Sequence, residues 1–539
     1  MRVAVAAVVV ALVAPLTLLG DTYPRQSAVD ALHYRFRLTL ADDSARIAAE
    51  ADVTIRLNAP TKDLSLDLVS VTGEHGMTVA TVTRAETPVE FSHAANRLRL
   101  TVPVEAKTGD ELTYTIKYGG IPADGLRSLE TVHGDRSVFS DNWPNRVRHW
   151  LPMIDHPYDK ATGEMIVVAP AQYQVVSNGR LVEELDLPGG QRRTHWRQSV
   201  PIASWLYALG VARFDVHHVA VIQGTPLQTW VFPQDRVTGR AIFEDTSRRA
   251  LEFFGERVGP YPYEKLANVQ AAGIGGGMEN ATAIFYGDKD VTAGRAPVVH
   301  EIAHQWFGNS VTEWDWDDVW LSEGFATYFT LLYTEQVEWR DAFVRDLERS
   351  RERVLEVEAK LPDTPIVHRN LSDMKSVLNQ LVYQKGGWVL HMLRQEIGTE
   401  AFWTGIRDYY RRYRDRNAST DDFRQVMERA SGRKDLRWFF TQWLTRSGVP
   451  SVEGSWRFVR DRKQLEITLR QTQSTDPFRL NVEIGIVDDD GATRVERLLF
   501  DTRERRIEVA VNAHPKAVVI DPNTALMAHI GAMKPPARR

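Results

Sequence analysis

The chain has 539 residues, 43% hydrophobic and 25% charged, with 66 Lys and Arg against 71 Asp and Glu for a net charge of −5. That length is too great for one core and predicts about three domains, while the acidic balance excludes a basic field that would draw nucleic acid. With no Cys at all, disulfides and a lipoprotein linkage are excluded, and any metal site must be built from His and carboxylates.

Arg2 precedes an apolar run over residues 3–19, followed by Gly20-Asp21 and a polar stretch. This is the pattern of a secretory signal, and the run is short for a membrane span. Leu18 is large for a cleavage site, so an uncleaved N-terminal anchor is the alternative to a signal peptide over residues 1–20. Membrane contact is expected only in that case. Either way the expected location is exported: periplasmic, extracellular or anchored outside the cytoplasm.

Residues 21–210 read as an all-β domain, a sandwich or a saddle. The segments 34–40, 51–57, 97–102 and 112–118 alternate apolar and polar residues with period two, and Gly, Pro and Asp turn signals separate them. Over residues 211–447 the period changes to that of helices, at 240–258, 297–307, 324–337, 339–360, 376–397, 399–416 and 420–430. Thr399 and Thr420 are expected N-caps. The basic cluster of Arg407, Arg411, Arg412, Arg414 and Arg416 alternates with Asp408 and Asp415 and reads as a solvated helix face. Gly448-Val449-Pro450 is a linker. Strand patterns return at 465–469, 480–484 and 507–511, which predicts a small β-sandwich over residues 448–530 and a tail over 531–539.

The chemistry concentrates in His300-Glu301-Ile302-Ala303-His304. On a helix the two His lie four apart, with both rings on one face, and two neutral imidazoles at that separation can hold one zinc ion. Glu301 then points beside the metal, where a carboxylate can take a proton from a water. Glu323, nineteen residues after His304 near the start of a second apolar helix, can supply the third ligand. A lone motif of this kind also occurs on ordinary surface helices. In isolation Glu323 would be a first-turn Glu favoured by the helix dipole, Glu279 an exposed residue in a Gly-rich turn, and Tyr383 a packed core residue.

Further runs stand around the motif: Gly273-Ile274-Gly275-Gly276-Gly277-Met278-Glu279-Asn280 upstream, then His300 through Gly308, Trp320-Leu321-Ser322-Glu323-Gly324-Phe325-Ala326 and Tyr383-Gln384-Lys385-Gly386-Gly387. Together these resemble the gluzincin zinc aminopeptidases, relatives of aminopeptidase N and leukotriene hydrolase. The resemblance extends to residues 148–160, Val176-Ser177-Asn178-Gly179, Gly259-Pro260-Tyr261-Pro262-Tyr263 and residues 435–450. It implies an α+β multidomain fold: an N-terminal β-saddle, a thermolysin-like mainly helical catalytic domain and a small C-terminal β-sandwich. No large C-terminal helical domain is expected, so the cleft should be more open or closed by another subunit.

The resemblance also implies roles. His300, His304 and Glu323 would hold one zinc ion, with Glu301 as the base and Tyr383 as the donor to the oxyanion. Gly276, Gly277, Met278, Glu279 and Asn280 would bind the substrate, a peptide with a free N-terminus whose amine Glu279 receives. Relatives carry a second amine anchor at a slot that falls at or near Trp143 here; Asp141 or Asn142 would need a loop shift to serve. Gly275, where relatives border the first pocket with a side chain, suggests a roomy one. The expected function is therefore hydrolysis of the N-terminal residue from peptides. The alternatives are lipid epoxide hydrolysis or a catalytically silent scaffold, although every zinc donor and the base are present. Sequence leaves the oligomeric state open.

Overall fold

A computed structural model describes residues 21–368, 374–433 and 435–534. The leader expected at 1–20 and residues 535–539 of the expected tail lie outside these. No helix among the described residues is long and apolar enough to cross a membrane.

The N-terminal region is a β-domain built on an eight-stranded sheet. Its central strand Val29–Leu40 pairs antiparallel with Ile47–Leu57 and parallel with Lys160–Pro170. Val29, Ala31, Tyr34, Phe36, Leu38 and Leu40 are buried, and most of the residues between them are partly exposed, so the period-two pattern becomes one covered face. A four-stranded sheet containing Arg136–Ser140 and Leu209–Ala212 and a three-stranded sheet containing Asp63–Asp67 complete the domain.

The chain then enters a five-stranded mixed sheet ordered Asp215–Ile222, Thr225–Val231, Leu266–Ala271, Ala283–Gly287 and Gly277–Met278. The sequence pattern predicted mainly helix here. Leu266–Ala271 and Ala283–Gly287 are buried at every position, so neither shows the alternation by which half-exposed strands are recognised. The short strand Gly277–Met278 is the edge of this sheet.

Helices follow. Arg236–Arg257, Val298–His304, Trp320–Val337, Trp339–Lys360, Thr399–Tyr413 and Thr420–Ser431 fall close to their expected positions. The stretch expected as one helix over 376–397 divides into a π-turn at Leu381–Lys385 and the helix Gly386–Ile397. Both expected N-caps shift by one residue. Gly398, with φ of 90°, precedes Thr399, and Ser419 caps the next helix. Ser419 Oγ accepts from the Asp422 N–H while the Asp422 carboxylate accepts from the Ser419 N–H. Thr420 Oγ1 is left to donate to Asp318 and to accept from Trp320 Nε1 at 2.8 Å.

The C-terminal region is a small two-sheet sandwich. Ser451–Val459, Gln464–Gln471, Glu504–Ala510 and His529–Lys534 form one sheet, and Leu480–Val487, Thr493–Phe500 and Ala517–Ile520 the other. Leu465, Ile467 and Leu469 are buried from the first sheet and Val482, Ile484 and Ile486 from the second. The strand His529–Lys534 pairs parallel with Ser451–Val459, so residues 531–534 belong to the sheet and not to a tail.

Candidate active site

Glu323 and Tyr383 reach the motif helix because two helices touch at glycines. Trp320–Val337 is led in by a turn at Trp316–Asp318, whose Asp315 side chain accepts from the Asp317 N–H at 3.0 Å. Glu323 therefore lies in the helix's first turn. A Cβ built on Gly324 would stand 2.9 Å from the Gly386 carbonyl carbon, so these helices approach backbone to backbone. That contact brings the π-turn carrying Tyr383 over Glu323. The turn is held from behind by buried Lys385, whose Nζ donates to Glu358 Oε1 at 2.5 Å and to the Gly448 carbonyl at 3.0 Å.

The three expected metal ligands converge. His300 Nε2 and His304 Nε2 are 3.1 Å apart, and Glu323 Oε2 is 3.3 Å from each. An ion ~2.0–2.1 Å from each donor in tetrahedral geometry sets donor–donor edges of about 3.3 Å, so the triangle has the dimensions of a zinc site. Among the described residues, Glu323 Oε2 is buried without a hydrogen-bond donor of good geometry. His304 Nδ1 faces the Phe307 carbonyl at 3.2 Å, which can only accept. A proton on Nδ1 serves both that carbonyl and Ser322 Oγ, 3.0 Å away and able to accept, and leaves the Nε2 lone pair to the triangle.

The electrostatics also call for a cation. Burial opposes a charged His304, yet Glu279 and Glu323 hold it up at about 10. Burial likewise favours a neutral Glu323, but His304 and His300 bring it down to about 2. Glu301 is pushed well up by burial and by the neighbouring Glu279 and Glu323; Glu279 is raised by burial and by Glu323. Three buried carboxylates share one small space, and a dication together with one ammonium would balance them.

Glu301 is 5% exposed and Glu279 6%. A ligand atom from each, with one from His304, lies within 4.8 Å of the others. Gly277 is required here, because a Cβ on it would stand 2.4 Å from Glu301 Cδ and Oε1. Gly276 has φ of 69°, a left-handed conformation that favours glycine. Met278 packs inward at the strand edge, with Glu279 and Asn280 just beyond it.

Residues that sequence reasoning passed over lock this loop. Gln305 Nε2 and Asn309 Nδ2 donate to the Glu279 carbonyl at 2.9 and 2.6 Å, and Gln305 Oε1 accepts from the Thr282 N–H at 3.0 Å. Both lie in the run just after His304, which was the available signal. From the N-terminal domain, Asn178 Nδ2 donates to the Ala281 carbonyl at 2.6 Å and the Gly179 N–H to Thr282 Oγ1 at 2.7 Å.

Tyr383 is half-buried, its ring stacked on His300 at 6.2 Å between centroids. Burial and the Glu323 charge push its phenol far above the ordinary value, so it stays a proton-bearing donor. The cleft over the site has a volume of about 620 Å³. Trp143 lines it from the N-terminal domain, edge-on to Trp316 at 4.6 Å. Neither expected second anchor is free: Asn142 donates to the Tyr207 carbonyl and accepts from Trp150, and Asp141 pairs with Arg146 and with Arg127. A Cβ on Gly275 would meet nothing within 4 Å.

Comparison with known proteins agrees with this geometry. Residues 30–206 match the Peptidase M1 N-terminal domain and residues 243–443 the Peptidase family M1 domain. Bovine (Bos taurus) glutamyl aminopeptidase is 30% identical over 377 residues, 65% of this chain and 39% of that protein. The chain thus spans about two fifths of the length of such curated relatives. An M1 zinc metallopeptidase from Deinococcus radiodurans superposes with a TM-score of 0.66 at 25% identity, covering 76% of this chain and 91% of the other. Legionella pneumophila aminopeptidase A, solved with aspartic acid, covers 96% of this chain and 60% of its own with a TM-score of 0.79; at 17% identity this is a likeness of fold. The two M1 domains follow one another along the sequence, and the second carries a His-His-Glu triangle of zinc dimensions: the chain belongs to the M1 family of zinc metallopeptidases.

Proposed function

We propose that this protein is an aminopeptidase that removes the N-terminal residue from peptides. One observation carries the reading: the Glu279 carboxylate stands at the end of an open strand edge, and its ligand atom is within 4.8 Å of those of Glu301 and His304. An ammonium held by Glu279 leaves about one residue's length, ~3.8 Å from Cα to Cα, before the metal triangle. Only the first carbonyl falls in range. Relatives named glutamyl aminopeptidase and aminopeptidase M1-B support the same class.

The extended substrate adds to the edge strand Gly277–Met278, where the glycines let its backbone approach. His300, His304 and Glu323 would hold zinc, which when bound supplies Lewis acidity to the scissile carbonyl and lowers the pKa of water. Glu301 accepts the proton of the attacking water and returns it to the leaving amine. The Tyr383 hydroxyl donates to the oxyanion as the carbonyl becomes tetrahedral. Gln305 and Asn309 hold the backbone of Glu279, so the ammonium is placed to within a narrow range.

The deciding experiment compares an aminoacyl anilide with its N-acetylated form, with and without chelator. Chelator-sensitive turnover of the free amine alone is expected. Equal turnover of the acetylated substrate would make the protein an endopeptidase, and no turnover with zinc bound would make it a silent scaffold. Export accords with the apolar run over residues 3–19 and the lack of Cys. A protein recovered only from the cytoplasm with its N-terminus intact would contradict that part of the reading.

A further inference from the structure

The cleft is polarised. Glu279, Glu301 and Glu323 stand on the metal side, while the helix Trp339–Lys360 contributes Asp346, Arg349, Ser350 and Arg353 to another wall. Those four positions are spaced i, i+3, i+4 and i+7, one face of a helix. Among the described residues, Arg349 and Arg353 are the only Lys or Arg side chains lining the cleft.

These arginines are poorly compensated. Among the described residues Arg349 pairs only with Asp346, at 3.0 Å, and its side chain stays 68% exposed. Arg353 has no carboxylate within 4.0 Å among the described residues, although Glu356 stands three residues on. What sets the pair apart from other exposed helix arginines is the cleft that they line. Like charges four apart on one face repel, a local penalty that an anion between them removes. Ser350 lies between the two, 5% exposed, and its Oγ is buried with no hydrogen-bond partner among the described residues.

A peptide anchored by its ammonium at Glu279 sends its remaining residues away from the acidic side of the cleft. A compact cavity of about 620 Å³ is on the order of 10 Å across, which an extended chain spans in about three residues at ~3.3–3.6 Å each. We infer that Arg353, with Arg349 and Ser350, receives a carboxylate on the leaving side of the scissile bond, so that the enzyme favours short acidic-ended peptides. The carboxylate is either the C-terminus of a di- or tripeptide or an acidic side chain downstream. This rests on the aminopeptidase reading.

Two substrate pairs separate the sources: Ala-Ala-Ala as free acid against its C-terminal amide, and Ala-Ala-Glu amide against Ala-Ala-Gln amide. In the wild-type holoenzyme at least one acid member should lead its neutral partner by about tenfold in kcat/KM, the scale of one charge-assisted hydrogen bond. The lead should shrink as salt is raised. It should fall to about one in the Arg349→Ala, Arg353→Ala double variant and survive in part in Arg353→Lys. Equal kcat/KM within both pairs for the wild type, or an acid preference that persists in the double variant, overturns the inference. So does a double variant whose altered preference concerns only the first residue of aminoacyl anilides, since the arginines would then face the acyl side. A wild-type enzyme that splits no anilide and no peptide refutes the aminopeptidase assignment itself, a distinct failure.

Discussion

Gly277→Ala tests the placement of Glu301 without touching a metal ligand. The new Cβ would lie 2.4 Å from Glu301 Cδ and Oε1 and 2.6 Å from Cγ, against the 3.4 Å at which ordinary contact begins. The carboxylate must therefore retreat by about 1 Å, and it can, because it is the far end of a flexible side chain. Folding should lose little, on the order of 1 kcal/mol or less. Catalysis should lose much more, since a misplacement of ~1 Å can cost about a hundredfold in rate. His300, His304 and Glu323 are not touched, so zinc stoichiometry by elemental analysis should remain one per chain. The assay is kcat and KM on an aminoacyl anilide, alongside thermal melting and metal content. A Gly277→Ala enzyme with wild-type kcat would refute the reasoning, for it would mean that the position of the Glu301 carboxylate does not set the rate.

Glu301→Gln should keep zinc and lose about 10²–10⁴-fold in kcat; metal loss together with activity would instead make Glu301 a ligand. Tyr383→Phe should lower kcat by about 10²–10³-fold with little change in KM, whereas a pure KM effect would point to a packing role. His391 predicts an acid weakness at the junction of helix Gly386–Ile397 with the β-sandwich. Burial brings its imidazole down to about 3, against a backbone bond to the Thr524 carbonyl that works the other way. As the carbonyl only accepts, Nε2–H donates to it at 3.0 Å and Nδ1 accepts from Tyr328 OH at 3.1 Å, so the neutral ring is satisfied. The unfolded chain binds this proton near 6.5 and the folded one only near 3. Stability is thus complete above about pH 6.5 and falls steadily toward pH 3, by at most ~4–5 kcal/mol. His391→Gln should flatten this slope in denaturant titrations; an unchanged slope would remove His391 from the account.

Sequence by itself determined the features that depend on local spacing. His300 and His304 share a helix face because they are four apart, and alternating strands such as Val29–Leu40 show their buried side in their letters. The glycine run before Glu279 and the Glu in Trp320–Val337 were legible as types of residue at set intervals along the chain. The strands Leu266–Ala271 and Ala283–Gly287 were not, since burial on both faces erases alternation. Nor was the split of residues 376–397, where the π-turn answers to Lys385 meeting Glu358 and Gly386 meeting Gly324 across the fold.

Only the tertiary structure could decide which distant groups share a few ångströms. It set the 3.1 and 3.3 Å edges of the triangle. It also turned Gln305 and Asn309 into a clamp on the Glu279 backbone and lined the cleft with Trp143, Arg349 and Arg353. A helix or strand period constrains neighbours one turn or one pleat away. The distance between residues 80 positions apart is set by how whole elements pack, and packing is a property of many side chains at once.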